Sequence, residues 1–226
     1  MIGIMTAAWD RVKAIGRTAR SVVNQTRTDW KWAIYNDKSL RDITEHLPLH
    51  DRRVSYLRGQ ERKYIAGAKR RAVEMLDTEW FFVLDDDDWL TVDAVEAMYE
   101  EANNDVSFVH FKSRHHKEGQ VSLELCFDQE HYTAGRMACL DVPVPQALLI
   151  NRNAYDQAGG YDEQFTWAFD DVDLVCRLLQ VRPAKASTKM IMNKGSHPFT
   201  RERVEGYGAC LQLFKEKHKR LRGGDE

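Results

Sequence analysis

The sequence predicts a single α/β domain in which helices flank a mostly parallel sheet on both sides. Three observations support this prediction. Strand and helix patterns alternate through the first 112 of the 226 residues. The segment 80–84 is a continuous apolar run, as expected for a strand that is buried on both faces. No internal repeat and no linker-like segment divides the chain, which is long enough to bury about 70% of its unfolded surface.

The elements of the first half follow from their periodicity. Strands are predicted at 2–8, 30–35, 80–84 and 106–112. A helix is predicted at 12–23, because Val12, Ile15 and Ala19 recur on one face. Two further helices are expected at 64–76 and 91–99, the last with Thr91 as its N-cap. The turn-forming cluster at 36–39 ends the second strand.

The second half is less regular. The polar segment 113–145 suggests a hairpin or an excursion, in which His115 and His116 are expected to be loop residues rather than metal ligands. Further elements are predicted as a strand at 147–151, helices at 154–158, 171–179 and 204–214, and a late strand at 190–192. The basic run 215–222 is expected to be a loose tail, with contact to an anionic membrane surface or to nucleic acid as alternatives.

Composition excludes several classes of protein. Hydrophobic residues make up 43% of the chain and charged residues 30%, which argues against wholesale disorder. The 33 basic and 35 acidic side chains leave a net charge of −2, which does not favour a protein that coats polyanions. No apolar run approaches the roughly 18 residues of a membrane span. Asp10 and Arg11 end the first apolar segment, and no basic residues precede it, so no signal peptide is expected.

The four cysteines, at positions 126, 139, 176 and 210, form no CxxC pair. The sequence therefore signals neither a zinc site nor a disulfide framework. We expect reduced thiols and a cytoplasmic location.

The strongest functional signal is the run of four aspartates at 85–88, directly after the apolar strand. Adjacent carboxylates repel one another unless a cation holds them together. In an open α/β sheet, ligands bind at the carboxyl ends of the strands, where this run lies. Its hard oxygen ligands suit Mg²⁺ or Mn²⁺ bound together with phosphate oxygens. The alternative is a solvated acidic turn that precedes the helix at Thr91.

A second acidic cluster contains Asp170, Asp171 and Asp173, where a loop runs into a predicted helix. Carboxylates are favoured at a helix N-terminus, so capping is the plain explanation for one of them. One cap needs one carboxylate, which leaves at least one other available as a general base.

Three segments, in this order and spacing, resemble the family 2 glycosyltransferases, which have the GT-A fold. They are 21–39 (SVVNQTRTDWKWAIYNDKS), 67–90 (GAKRRAVEMLDTEWFFVLDDDDWL) and 149–178 (LINRNAYDQAGGYDEQFTWAFDDVDLVCRL). The resemblance implies an inverting, metal-dependent hexosyltransferase that uses a nucleotide diphosphate sugar, with UDP as the default, and Mn²⁺ or Mg²⁺. It also implies a nucleotide-sugar-binding half at 1–112 and an acceptor-binding half at 113–214, followed by the basic tail 215–226.

The resemblance assigns roles to individual residues. The positions that match its nucleotide-sugar site are Thr6, Ala7, Asn36, Asp37, Lys69, Arg70, Asp85 and Asp86. Asp85 and Asp87 match the DxD motif, and Asp87, with Asp88 close by, is the expected metal ligand. His197 matches a histidine that reaches the metal or the diphosphate, although an ordinary histidine explains it equally well. Asp171 falls on the catalytic base, next to Asp170.

The acceptor is not defined by the sequence. The candidates for the acceptor site are Gln146, Trp167 and Phe169. The alternative for the two aromatic residues is that they pack against the core. The acceptor is expected to be a glycan, a lipid-linked glycan or a nucleic acid.

The segment 52–71 holds eight basic residues against one acid, Glu61. It could attract the donor diphosphate or an anionic acceptor, or form a solvated helix face.

Two other functions compete with the glycosyltransferase. A nucleotidyltransferase would also use a strand-end acidic cluster, but it should have a glycine-rich loop near the N-terminus, where only Gly3 is found. A catalytically silent module of the same fold would retain the nucleotide-sugar site and show no turnover.

Overall fold

Nine strands form one sheet in the computed structural model, which describes residues 1–117, 120–123, 131–195 and 201–222. In chain order they are β1 (Ile2–Ala8), β2 (Trp30–Asn36), β3 (Val54–Arg58), β4 (Trp80–Val83), β5 (Trp89–Leu90), β6 (Phe108–Lys117), β7 (Gln120–Leu123), β8 (Leu148–Asn151) and β9 (Ala184–Lys194). Their spatial order is β3-β2-β1-β4-β8-β6-β9-β5, with β7 paired to β6. Among these strands only β5, β7 and β8 run against the common direction, which confirms the mostly parallel sheet.

Helices cover both faces of this sheet. They are α1 (Val12–Val23), α2 (Tyr64–Glu74), α3 (Ala94–Glu101), α4 (Ala134–Cys139), α5 (Arg152–Gln157), α6 (Asp170–Val181), α7 (Arg201–Lys217) and α8 (Lys219–Arg222). One apolar core joins α1 and α3 to the sheet through residues such as Val22 and Met98. The other joins α2, α6 and α7 through residues such as Val73, Leu178 and Phe214. The expected α/β layers are therefore confirmed.

The strands that carry the expected site end at one edge of the sheet. Ala8 at the end of β1 is level with Asn36 at the end of β2, and Val83 of β4 is level with Met5. The run 85–88 therefore emerges beside the loops that follow β1 and β2. The parallel arrangement brings together three segments that are far apart in the sequence.

Two strands differ from the sequence prediction. β3 was not expected, because its short apolar alternation, Val54 and Tyr56, lies within the basic segment. β9 extends from Ala184 to Lys194 rather than over 190–192. Its polar residues have partners that sequence patterns do not reveal. Lys185, for example, forms an ion pair with Glu101 of α3 at 2.8 Å.

Two local expectations are wrong. Thr91 does not cap α3, which begins at Ala94; its hydroxyl donates a hydrogen bond to Asp93 at 2.7 Å instead. His115 and His116 lie on β6 rather than in a loop, because β6 continues to Lys117 and pairs with β7 as a hairpin.

The basic run at 215–222 is docked and not a loose tail. Lys217 Nζ lies 2.6 Å from Asp162 and 2.9 Å from Asp173. His218 is buried, and its Nε2 lies 2.9 Å from Asp173 Oδ1, the same oxygen that Lys217 contacts. Arg222 donates to the carbonyl oxygen of Ala138. The fully buried Asp173 draws this segment onto α6, because a buried carboxylate requires cationic or hydrogen-bonding partners.

The Asp173 network is expected to make stability depend on acid pH. Burial alone would raise the pKa of Asp173, but hydrogen bonds from His218 and Arg177 outweigh it and lower the pKa to about 2. A lowered folded-state pKa stabilises the protein above the unfolded value near 4, and this stability is lost as the pH falls toward 2. We expect Asp173 to contribute roughly 2 kcal/mol to this loss. Urea unfolding at pH 5 and pH 3 should show a weaker pH dependence for Asp173→Asn than for the unmodified protein. Equal pH dependence would contradict the prediction.

Two further observations concern the cysteines and the helices of the described residues. Cys139, Cys176 and Cys210 are unpaired, whereas Cys126 lies outside the residues that the structure describes. In the same part of the chain, no helix combines the length and the apolar character that crossing a membrane requires.

Candidate active site

The acidic run forms a turn immediately after β4. The amide of Asp88 donates to the carbonyl oxygen of Asp85 at 3.2 Å, which folds the run back on itself. Asp85, Asp87 and Asp88 each offer one carboxylate oxygen, and these oxygens all lie within 4.8 Å of one another. Three hard oxygen donors at this spacing are the ligand set that Mg²⁺ and Mn²⁺ prefer, so these residues fit such an ion.

Asp86 does not join this triad. Its carboxylate accepts hydrogen bonds from the amide of Trp9 at 3.0 Å and from Arg11 at 2.8 Å. Burial raises the pKa of Asp86 to about 7, and the charge of Arg11 only partly opposes that shift. Asp86 therefore ties the acidic turn to the loop after β1, although it still lines the cavity.

The electrostatics of the triad favour a bound cation. Lys69 lowers the pKa of Asp85. Burial raises the pKa of Asp88 well above its ordinary value, and the charges of Asp85 and Asp87 raise it further. Arg11 also lies 2.8 Å from Asp87 Oδ1. A divalent ion at this point would relieve the repulsion that the neighbouring cations leave uncompensated.

A second acidic pair faces the triad from the start of α6. Asp170 and Asp171 both line the cavity. Asp170 is buried, and its Oδ2 lies 2.9 Å from Lys69 Nζ. The same ammonium group lies 3.7 Å from Asp85 Oδ1, so Lys69 connects the two acidic clusters. Burial raises the pKa of Asp170, and the positive charge of Lys69 opposes this rise.

Lys69 is itself almost completely buried. Burial by itself would lower the pKa of Lys69, but the charges of Asp170 and Asp85 outweigh it and raise the pKa well above the ordinary value. Lys69 is therefore a permanent cation between the triad and α6. Its position on α2 is set by the apolar face that includes Ala68 and Ala72.

Replacing Lys69 by methionine is expected to destabilise the protein by about 3–5 kcal/mol, because it leaves a buried carboxylate without its partner. Arg71→Met, on the same helix, is the matched control. Arg71 forms an exposed ion pair with Glu74, and such pairs contribute less than about 1 kcal/mol. Denaturant unfolding of both variants checks this, and similar losses of stability would contradict it.

The third part of the site is a group of aromatic and charged residues near Asp37. Asp37 is buried and accepts hydrogen bonds from the amides of Lys63 and Tyr64, at 2.6 and 3.0 Å. The guanidinium of Arg62 lies 3.8 Å from the ring centre of Trp9 and 5.4 Å from that of Trp167. Trp167 also packs edge-on against Tyr64. This wall offers flat aromatic and guanidinium surfaces and a carboxylate to a ligand.

These three parts enclose one cavity of about 470 Å³. Most of the residues expected in the site line it, namely Ala7, Asp37, Lys69, Asp85, Asp86, Asp87, Gln146, Trp167, Asp170 and Asp171. The structure thus brings together, at one sheet edge, side chains from segments that span more than 160 positions. His197 lies outside the described residues.

Four expected residues do not reach the cavity. The hydroxyl of Thr6 is fully buried and accepts a hydrogen bond from Trp32 Nε1 at 2.9 Å. Asn36 is also buried. Its side-chain amide donates a hydrogen bond to the hydroxyl of Tyr56 and accepts one from the backbone amide of Ser39. Both residues lie in strands that are buried on both faces, and their polar groups bond side chains of neighbouring strands.

Arg70 and Phe169 have structural partners instead. Arg70 donates to the carbonyl oxygens of Gly159 and Tyr161, which secures the loop before α6. Phe169 packs against Phe214 and Tyr207 of α7. Its left-handed backbone conformation, with φ of 66°, turns its ring away from the cavity that its neighbour Asp170 lines.

Sequence reasoning missed several residues that line the cavity, among them Arg11, Arg62, Tyr64, His115 and Lys194. A basic residue shortly after β1 and the high charge of the segment 52–71 were the available signals. Most of that segment's charge is neutralised locally. Arg53 pairs with Asp51, and Lys63 pairs with Glu61. Arg62 and Lys69 are the basic residues of the segment that line the cavity.

The chain is a glycosyltransferase by its family model, and its fold is the GT-A fold. The chain belongs to glycosyl transferase family 2, whose family model matches residues 4–145. This confirms the family and the enzyme class that the sequence motifs indicated.

One curated relative is the chondroitin synthase of Escherichia coli. It is 28% identical over 204 residues, which are 87% of this chain and 29% of that protein. The chain therefore spans less than a third of this relative's length.

Solved structures share the fold at low sequence identity. S. aureus TarS 1–349 in complex with UDP-GlcNAc has a TM-score of 0.74 and 9% identity, and the match covers 96% of this chain and 66% of that one. The mannosyltransferase PcManGT from Pyrobaculum calidifontis, in complex with GDP-Man and Mn²⁺, has a TM-score of 0.69 and 11% identity, covering 99% and 65%. At these identities the likeness concerns the fold.

Proposed function

We propose that this domain transfers a hexose from a UDP-sugar to an acceptor hydroxyl, with inversion at the anomeric carbon and with a bound Mn²⁺ or Mg²⁺. The observation that carries the proposal is the arrangement of two carboxylate clusters across one cavity. Asp85, Asp87 and Asp88 form one cluster, and Asp170 and Asp171 form the other. A transferase of this type needs separate carboxylates for its metal and for its proton acceptor.

The triad is proposed to hold the ion, which would neutralise charge on the diphosphate as it leaves. Lys69 and Arg11 supply fixed positive charges beside the same carboxylates. Their charges would stabilise the donor diphosphate where it binds beside the triad. The donor would thus be held mainly by the half of the chain at 1–112, as its resemblance to the family implies.

The wall around Asp37 is proposed to receive the nucleotide base. The ring of Trp9 and the guanidinium of Arg62 offer flat surfaces for stacking, and Asp37 can accept a hydrogen bond from a ring N–H. A uracil carries such an N–H group. TarS structures in complex with UDP and with UDP-GlcNAc support uridine as the first base to test.

Asp171 is proposed to be the general base. It lines the cavity, whereas its neighbour Asp170 is engaged with Lys69. A carboxylate on the side of the cavity facing the triad can accept the proton of an acceptor hydroxyl as that oxygen attacks the anomeric carbon. Attack in line with the departing diphosphate inverts that carbon, and holding both groups in line can lower the barrier by roughly 7–11 kcal/mol.

A glycan is the proposed acceptor, because the chain is similar to a protein named chondroitin synthase. Gln146 lines the cavity outside the wall around Asp37 and is proposed to contact such an acceptor, and Trp167, at the edge of that wall, is proposed to contact both the donor and the acceptor. A lipid-linked glycan and a nucleic acid are the alternatives to be tested. The cytoplasmic location stays a prediction.

A panel of nucleotide sugars tests the proposal by thermal shift, with Mn²⁺ and with EDTA. A donor that binds at 100 times its dissociation constant stabilises the folded state by about 2.7 kcal/mol, so the true donor should raise the Tm. We expect UDP-sugars to do so only when Mn²⁺ is present. A Tm that no UDP-sugar changes would contradict the proposed donor. Binding of a UDP-sugar without turnover on any acceptor would instead support the silent module.

A further inference from the structure

Helix α1 and the residues just after it carry three polar side chains that face the segment 86–95. Thr18 and Ser21 lie three residues apart on one face of α1, and Gln25 follows shortly after the helix ends at Val23. Ile15 and Val22 are buried beside them. Polar groups on a buried helix face require hydrogen-bonding partners. All three residues find those partners in the segment 86–95, which includes most of the acidic turn.

Thr18 is the member that contacts the acidic turn. Its side chain is fully buried, and its hydroxyl donates to the carbonyl oxygen of Asp88 at 2.6 Å, with the carbonyl oxygen of Asp86 at 3.1 Å. The other two bind farther along the chain. Ser21 accepts a hydrogen bond from the amide of Leu90, and Gln25 bonds the carbonyl of Thr91 and the amide of Val95.

Arg17 complements Thr18 from the adjacent position. It donates to the carbonyl oxygen of Asp87 at 3.1 Å, and its guanidinium lies 3.5 Å from the ring centre of Trp89. Helix α1 thus holds the three consecutive carbonyl groups of Asp86, Asp87 and Asp88. These bonds leave the ligand-bearing side chains of the triad on the opposite side of the turn, toward the cavity.

We infer that Thr18 is a positioning residue for the metal site, and that its hydroxyl holds the acidic turn in the shape that a divalent ion needs before the ion arrives. The inference rests on the proposed function, because it takes Asp85, Asp87 and Asp88 as the ligands. Like charges drive such a turn apart when no cation is present. A site whose ligands are already in place binds its ion more tightly than one that must first be ordered.

Two substitutions at Thr18 test this inference. Thr18→Val keeps the shape of the side chain and removes its only donor, whereas Thr18→Ser keeps the donor. We expect Thr18→Val to weaken Mn²⁺ binding about tenfold, as outer-shell changes at metal sites commonly do, and Thr18→Ser to remain within about twofold of the unmodified protein. The measurement is calorimetric titration of the full chain with Mn²⁺ alone, together with the Tm in EDTA.

Gln25→Ala is the matched control. It removes three hydrogen bonds, to Ser21, Thr91 and Val95, just beyond the end of α1 and away from the acidic turn. A general loss of stability would lower the Tm of both Gln25→Ala and Thr18→Val. We expect only Thr18→Val to weaken Mn²⁺ binding, while Gln25→Ala stays within about twofold of the unmodified protein.

Several results would overturn the inference. Unchanged Mn²⁺ affinity in Thr18→Val would do so, as would an equal loss in Gln25→Ala or in Thr18→Ser. Should Thr18→Val fail to fold, Thr18→Ala takes its place, because it also removes the hydroxyl, and unchanged affinity there is equally decisive. Failure of the unmodified protein to bind Mn²⁺ is a different result, because it would contradict the proposed function itself.

Discussion

Replacing Asp87 by asparagine is expected to reduce sugar transfer by on the order of 10²–10³-fold, the largest loss that we predict for a single ligand. Asparagine keeps the size of the side chain and removes its charge. The triad then offers two carboxylates instead of three, and Arg11 loses one of its two acidic partners. Initial rates with a UDP-sugar, measured over a range of Mn²⁺ concentrations, give the size of the effect.

Asp77→Asn provides the matched control for this change. Asp77 is exposed and pairs with Lys31 at 2.7 Å, away from the cavity. The same chemical substitution there should leave the rate unchanged. If Asp87→Asn retained full activity at low Mn²⁺ concentration, Asp87 would not be a metal ligand.

Asp171→Asn is expected to lower kcat by about 10²–10⁴-fold, the range that general base catalysis contributes. The amide can still accept a hydrogen bond, but it cannot take a proton from the acceptor hydroxyl. Binding of Mn²⁺ and of the donor should persist, because the triad and the wall around Asp37 are intact. Steady-state rates combined with donor titration separate these two effects.

Asp156→Asn serves as the control, because Asp156 is an exposed carboxylate on α5 outside the cavity. Asp170→Asn is informative as well. It removes the charge that pairs with the buried Lys69, so we expect it to lower the free energy of unfolding. An active Asp171→Asn beside an inactive but folded Asp170→Asn would transfer the role of base to Asp170.

Local patterns were sufficient to predict the framework of the site. The apolar run before the acidic turn predicted a buried strand, and β4 confirms it. Alternating strands and helices predicted the parallel arrangement, which places the ends of β1, β2 and β4 at one edge. The partners that neutralise charge could not be predicted in this way. Lys69 and Asp170 are 101 positions apart, and no local pattern links them.

The lack of local signals for contacts in space also explains why some residues expected in the site do not line the cavity. Thr6 and Asn36 are polar and close to strand ends, and their sequence positions alone are compatible with a ligand contact. In the fold, neighbouring strands bring Trp32 and Tyr56 within hydrogen-bonding distance of them. The docked segment at 215–222 has a similar origin, since its attachment depends on Asp173, which is buried only once α6 is packed.

The sequence by itself determined the family, the α/β layers and the edge of the sheet where the acidic residues gather, because these depend on periodicity and on the order of motifs. Only the tertiary structure decided which aspartates form the triad, that Asp86 instead anchors the turn to Arg11, and that Lys69 joins the two clusters. The physical reason is that a carboxylate's role depends on its burial and on its neighbours in space, and four identical residues in a row differ only in those respects.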